Sequence, residues 1–243
     1  MKEERSYYQY CPVIDYNYSQ WFKEVQYNGK VLSDSERKEF VAHMDRCISQ
    51  YSETLPVMHI MLEEIKDRND EFQEIQHAII SSLFFVHITM IDSMVASKIF
   101  IQVDQDYDRR FMRGKLFVIL NEGFKKLYGF DSKTHKKSVW DKLLPLMKHF
   151  PETINHQYQE LTFLLEKQAK SSSWWRDERN RETHLDTESL YNSRLEEVIE
   201  SKVIIDTMKL FEALLAVSNF LSNAHACLVN FLVNEYNNGN LTK

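Results

Sequence analysis

Five glycines and four prolines in 243 residues leave this chain few places to turn sharply. Strand-and-turn architectures need glycine for positive φ and proline for a fixed φ at their tight turns, whereas long helices need neither. The apolar residues agree with that scarcity. In a last long helix, starting near Glu188 or Ser201, Leu210, Phe211, Leu214, Leu215, Val217, Phe220, Leu221, Leu228 and Phe231 recur at helical spacing. Hydrophobic residues are 43% of the chain and charged residues 27%, a globular balance at a length that can bury a core without disulfides or a structural metal. The expected fold is all-α: an antiparallel bundle of four to five long helices with an N-terminal helical extension.

The segments follow from their start and stop signals. Residues 1–30 are rich in aromatics, among them Tyr7, Tyr8, Tyr16, Tyr18 and Trp21, and read as an arm packed on the bundle. Ser33-Asp34-Ser35-Glu36 is a capping box, opening a helix to about residue 52. Pro56 should begin a second helix ending near Arg68. Residues 1–69 then form the extension and residues 70–243 the bundle. Within the bundle, helices are expected over about 70–103, 106–128 and 151–169, with a loop at 129–137 and a stretch at 140–148 interrupted by Pro145. A charged helix starts near Trp174, and a last long helix ends near Asn237.

Two apolar stretches invite a membrane reading, 78–103 and 203–233. Each carries ionisable groups (His87, Asp92 and Lys98; Asp206, Lys209, Glu212 and His225), and one such group at a bilayer centre costs roughly 2.5–3.5 kcal/mol. Buried core helices fit both better, so no membrane is expected. Met1-Lys2-Glu3-Glu4-Arg5 leads into tyrosines rather than an apolar run, unlike a signal peptide. Cys11, Cys47 and Cys227 form no CxxC pair, and the odd count gives no disulfide framework, which reads as free thiols in a reducing cytoplasm. The net charge of -6 argues against broad coating of nucleic acid but leaves room for a small basic site.

One segment carries a recognisable chemical pattern: Trp174-Trp175-Arg176-Asp177-Glu178-Arg179-Asn180-Arg181-Glu182-Thr183-His184. His exchanges protons near neutral pH, and Arg offers a permanent bidentate donor for phosphate. The spacing Arg179-Asn180-x-x-x-His184 resembles the signature of the HEPN superfamily (higher eukaryotes and prokaryotes nucleotide-binding), an arginine followed by a polar residue and then a histidine. The resemblance covers roughly residues 70–237. Arg37 to His43 fits the loose spacing too, but lacks the Asn and lies inside the capped first helix. The resemblance implies a metal-independent endoribonuclease in which the ribose 2′-hydroxyl attacks phosphorus, with His184 as acid/base, Arg179 binding phosphate and Asn180 orienting. It also implies a homodimer with two facing motifs, and a role in stress or phage defence with an antitoxin or other partner protein. The alternative is a non-catalytic HEPN-like module binding RNA, nucleotide or protein.

On a regular helix of about 3.6 residues per turn, Asn180 and His184 share a face while Arg179 diverges. Arg176 and Arg181 are therefore auxiliary candidates. Asp92, within the apolar 78–103 stretch, should be buried, either paired with Arg109, Arg110 or Arg113 or facing His184. His87 reads as a satisfied core residue. Lys125, Lys136 and Lys137, with Lys126, Lys133 and His135, form a basic patch around the 129–137 loop that suits RNA phosphates, and Trp174 could stack on a base. Glu74-x-x-His77 has the spacing of half a di-iron site, but the second half is missing, so neither metal nor cofactor is expected.

Overall fold

A computed structural model of the chain describes Tyr18 and residues 32–68, 72–183 and 198–238, and these residues are helical and contain no strand. In chain order the helices are α1 (Asp34–Lys66), α2 (Gln73–Gln102), α3 (Asp106–Leu127), α4 (Ser132–His135), α5 (Val139–Leu143), a 3-10 segment (Leu144–His149), α6 (Glu152–Ser171), α7 (Trp175–Thr183) and α8 (Glu200–Asn237). The fold is all-α, as the low glycine and proline content requires. α2 lies at the centre, packed by α1, α3 and α8. Its composition and length would allow it to cross a membrane, but more than half of the apolar window is buried against its neighbours. A core helix needs that apolarity to be covered on several sides.

Capping decides where α1 begins. The Ser33 hydroxyl accepts from Glu36 N, and the Glu36 carboxylate accepts from Ser33 N at 2.7 Å. The helix does not break at Pro56, as the sequence suggested; it runs unbroken to Lys66. Proline removes one N–H from the helical ladder, and Pro56 stands on the exposed side of α1, where water can satisfy the carbonyl left over. At Pro145 the chain does change, from α5 into the 3-10 segment. The expected 129–137 loop contains the short α4, capped by Asp131 accepting from Thr134 N at 2.8 Å. Gly129 has φ +93°, and the Cβ of any other residue would come within 2.5 Å of His135 N, so the return from α3 requires glycine.

The core gathers Phe117, Phe124, Trp140, Phe150, Trp175 and Phe220, all nearly inaccessible. Trp140 stacks on Tyr158 with centroids 4.5 Å apart, donates from Nε1 to Thr162 Oγ1 at 2.8 Å, and accepts at its carbonyl from the Tyr158 hydroxyl. Tyr18 is buried, with its hydroxyl donating to Gln157 Oε1 at 3.3 Å; the rest of the proposed N-terminal arm lies outside the described residues. His87 is a satisfied core residue, bonded through Nδ1 to Thr54 Oγ1 (2.8 Å) and through Nε2 to Ser218 Oγ (2.9 Å), so it ties α1, α2 and α8 together. The cysteines correct the sequence reading. Cys47 is a free thiol, but Cys227, buried on α8, is disulfide-bonded; Cys11 lies outside the described residues.

Candidate functional site

A nine-residue helix as charged as α7 is marginal by itself. Two tryptophans fix it to the bundle. Trp175 is fully buried, edge-on to Phe124 of α3 at 6.0 Å between centroids. Trp174 is half-buried, packs on Phe117 at 5.1 Å, and carries the Lys202 ammonium 4.6 Å from its ring centroid. A base stacking on Trp174 would have to move Lys202 first.

Anchored this way, α7 lays its charged residues along α3. Arg179 Nη2 pairs with Glu122 Oε1 at 2.8 Å, and its Nη1 donates to Asn180 Oδ1 at 3.0 Å. Its Nε is buried and, among the described residues, has no hydrogen-bond partner. Glu122 Oε1 also accepts from Asn121 Nδ2 at 3.0 Å, while Lys125 Nζ lies 3.5 Å from Oε2. Arg176 Nη1 stands 3.8 Å from Oδ2 of Asp131, the N-cap of α4. Arg181 pairs with Glu178 at 3.2 Å, and Glu178 pairs with Arg113 of α3 at 2.7 Å, both partners of this second pair being only 15% exposed.

The structure therefore brings Arg176, Arg179, Asn180 and Lys125 to one surface, with Lys126, Lys136 and Lys137 exposed at the adjoining end of α3 and the α4 turn. His135 of that turn donates from Nδ1 to the Tyr128 carbonyl, 2.8 Å away. His184 lies outside the described residues, as does its relation to Asn180. Asp92 is not part of this surface. It is exposed on α2, in a strip with the exposed Val95 and Ile99, rather than buried. The apolar run concealed this outward strip because α2 buries most, but not all, of its circumference. Two of the arginines named for Asp92 have other partners: Arg113 takes Glu178, and Arg109 donates to the Val103 carbonyl at 3.0 Å. Glu74 and His77 are exposed rather than turned into the bundle. Among the described residues no group of three metal-ligating side chains converges.

Sequence reasoning missed Asn121 and Glu122. The signal for Asn121 was present: Phe117, Asn121 and Phe124 stand one turn apart on the strip of α3 that faces the two tryptophans, so Asn121 is an amide in an apolar row. It is 2% exposed and its Oδ1 has no partner among the described residues. Asp206 of α8 is another buried polar group, 2% exposed. Burial pushes its carboxyl up, while Lys209 and then the Trp175 indole draw it back down. Among the described residues neither the indole Nε1 nor Asp206 Oδ2 has a hydrogen-bond partner. A small apolar hollow lined by Phe72, Phe150, Leu228 and Phe231 involves neither α3 nor α7. No protein-family model matches this chain, and no curated protein or solved structure matches it significantly.

Proposed function

We propose that this protein binds single-stranded RNA on the surface shared by α7 and the basic α3–α4 turn, and cleaves it without a metal ion as a HEPN-like endoribonuclease. One observation carries the reading: Arg179 and Arg176, distant in sequence from the Lys-rich turn, stand beside it, with Arg179 and Lys125 meeting at Glu122 and Arg176 facing Asp131. Phosphate contacts from Arg and Lys supply the sequence-independent part of RNA affinity. In the proposed reaction the ribose 2′-hydroxyl gives its proton to His184 and attacks phosphorus. The 5′-oxygen leaves and takes that proton back from the protonated His184, and the products are a 2′,3′-cyclic phosphate and a 5′-hydroxyl. Arg179 holds the phosphate oxygens as charge develops on them. The protein acts as a homodimer, with Arg179 of one protomer serving the His184 of the other.

A second reading, a non-catalytic RNA-binding relative, is favoured by the Glu122 carboxylate already held by Arg179, since a phosphate must displace it. Incubating a labelled single-stranded RNA with the protein in EDTA separates the two. Cleavage that persists in EDTA and disappears in His184→Ala supports the nuclease. Binding without cleavage supports the relative. Absence of binding at low salt, or cleavage by His184→Ala equal to the parent, rejects the nuclease.

A further inference from the structure

We infer that Glu122 is an internal counter-ligand that occupies the phosphate seat at Arg179, and that Asn121 is the positioning residue that keeps it there. The inference rests on the reading of Arg179 as a phosphate-binding residue. One half-exposed carboxylate collects three partners: Arg179 Nη2 as an ion pair at 2.8 Å, Asn121 Nδ2 as a hydrogen-bond donor at 3.0 Å and Lys125 Nζ at 3.5 Å. An ordinary surface ion pair needs no support from the core. Here the support is a side chain 2% exposed whose own carbonyl goes unpaired among the described residues. Leaving a buried acceptor unmade is unfavourable. Turning the amide over would point Oδ1 at the carboxylate and repel it. The Asn121 orientation is thus set by Glu122, and Glu122 is set against Arg179.

The geometry is also incomplete in the way a stand-in would be. Glu122 meets Arg179 through a single oxygen and a single guanidinium nitrogen. Arginine can present two parallel donors to an oxyanion. A tetrahedral phosphate has enough oxygens to take Arg179 and Lys125 together, and the exposed Lys126 and Arg176 add positive charge around it. Binding at this seat is then an exchange of one anion for another. Ligands of low charge are refused, and a phosphate must outcompete a tethered carboxylate.

The probe is inorganic phosphate, titrated at pH 7.5 and constant ionic strength against the full chain, with folding checked by near-ultraviolet circular dichroism. Glu122→Gln removes the competing charge at constant shape and should bind phosphate about fivefold tighter or more. Glu63→Gln changes net charge equally on the exposed face of α1 and should bind like the parent. Glu122→Gln combined with Arg179→Ala should lose the gain. Asn121→Ala should raise phosphate affinity toward the Glu122→Gln value, because the carboxylate is no longer held; a merely structural asparagine would lower the unfolding midpoint and leave the affinity unchanged. Parent-like affinity in folded Glu122→Gln, a gain surviving Arg179→Ala, or an equal gain in Glu63→Gln overturns the inference. The RNA reading has its own readout. A parent that ignores RNA while the phosphate pattern holds rejects RNA as the ligand and leaves the gated anion seat. A parent that binds RNA while the pattern fails rejects Glu122 as its gate.

Discussion

Burial pushes the His87 imidazole down to about 4, because the neutral ring already satisfies Thr54 and Ser218 and a charge there would be desolvated. The unfolded chain takes up that proton near pH 6.5 and the folded one does not, so this contribution to stability is complete above pH 6.5 and is lost as pH falls toward 4, by on the order of 3 kcal/mol. Glu212 on α8 acts in the opposite direction. Burial pushes its carboxyl up to about 7 from an ordinary 4.5, so the folded state keeps a proton that the unfolded state releases, and stability falls as pH rises from 4.5 to 7. Between pH 4.5 and 6.5 the two slopes oppose each other in the parent. Urea midpoints across pH 4–8 should show Glu212→Gln more stable than the parent at pH 8 and equal to it at pH 4. His87→Gln should lose the decline in acid. A Glu212→Gln variant no more stable at pH 8 would show that its carboxyl is ordinarily solvated.

At the scale of the helix, ends and contact points differ in how much they tolerate. Ser33→Ala removes half of the α1 capping box and should lower stability by about 1 kcal/mol, read from the denaturant midpoint at unchanged slope. Two glycines of α3 offer a ranked test. A Cβ at Gly123 would stand 2.8 Å from Thr89 Cγ2, and Thr89 is pinned by its hydroxyl bond to the Phe85 carbonyl at 2.8 Å. Gly123→Ala should therefore destabilise by about 1–3 kcal/mol in spite of the better helix propensity of alanine. At Gly114 the obstacle is the carboxylate end of Glu182, the tip of a flexible side chain, so Gly114→Ala should cost less. The reverse order would mean that the α3–α7 contact is the stiffer of the two.

Across the whole molecule, one buried ion pair links distant parts of the chain. Glu200, 1% exposed at the start of α8, accepts from Arg37 Nη2 at 3.1 Å and from Leu32 N at 2.8 Å through Oε2; its Oε1 lies 2.9 Å from the same Nη2 without hydrogen-bond alignment. Arg37 also donates to the Ile101 carbonyl at the end of α2 at 3.1 Å. Removing one partner of such a pair strands the other, so Glu200→Ala should cost about 3–5 kcal/mol and lower Tm by roughly 10 °C. Replacing both residues by methionine should recover much of that loss. A Glu200→Ala protein with the parent's Tm would show that the pair does not secure α1 to the bundle.

The all-α fold and most helix limits were legible in the sequence because they rest on local physics: few turn residues, apolar periodicity, and caps such as Ser33. The continuation of α1 past Pro56 was not legible, since it depends on which side of the helix meets water. The site divides in the same way. Arg176, Arg179, Asn180 and the lysines around the α3–α4 turn were picked out by type and spacing, whereas the sequence offered Trp174 as a base-stacking platform and not as an anchor of α7. That Trp174 is covered by Lys202 and that Asp92 faces outward were decided by packing. Glu122 is one carboxylate among many until α7 docks on α3 and sets Arg179 against it. Residue chemistry and periodicity are properties of short stretches of chain, whereas the partner of a charge depends on which helices pack together, and that is a property of the folded whole.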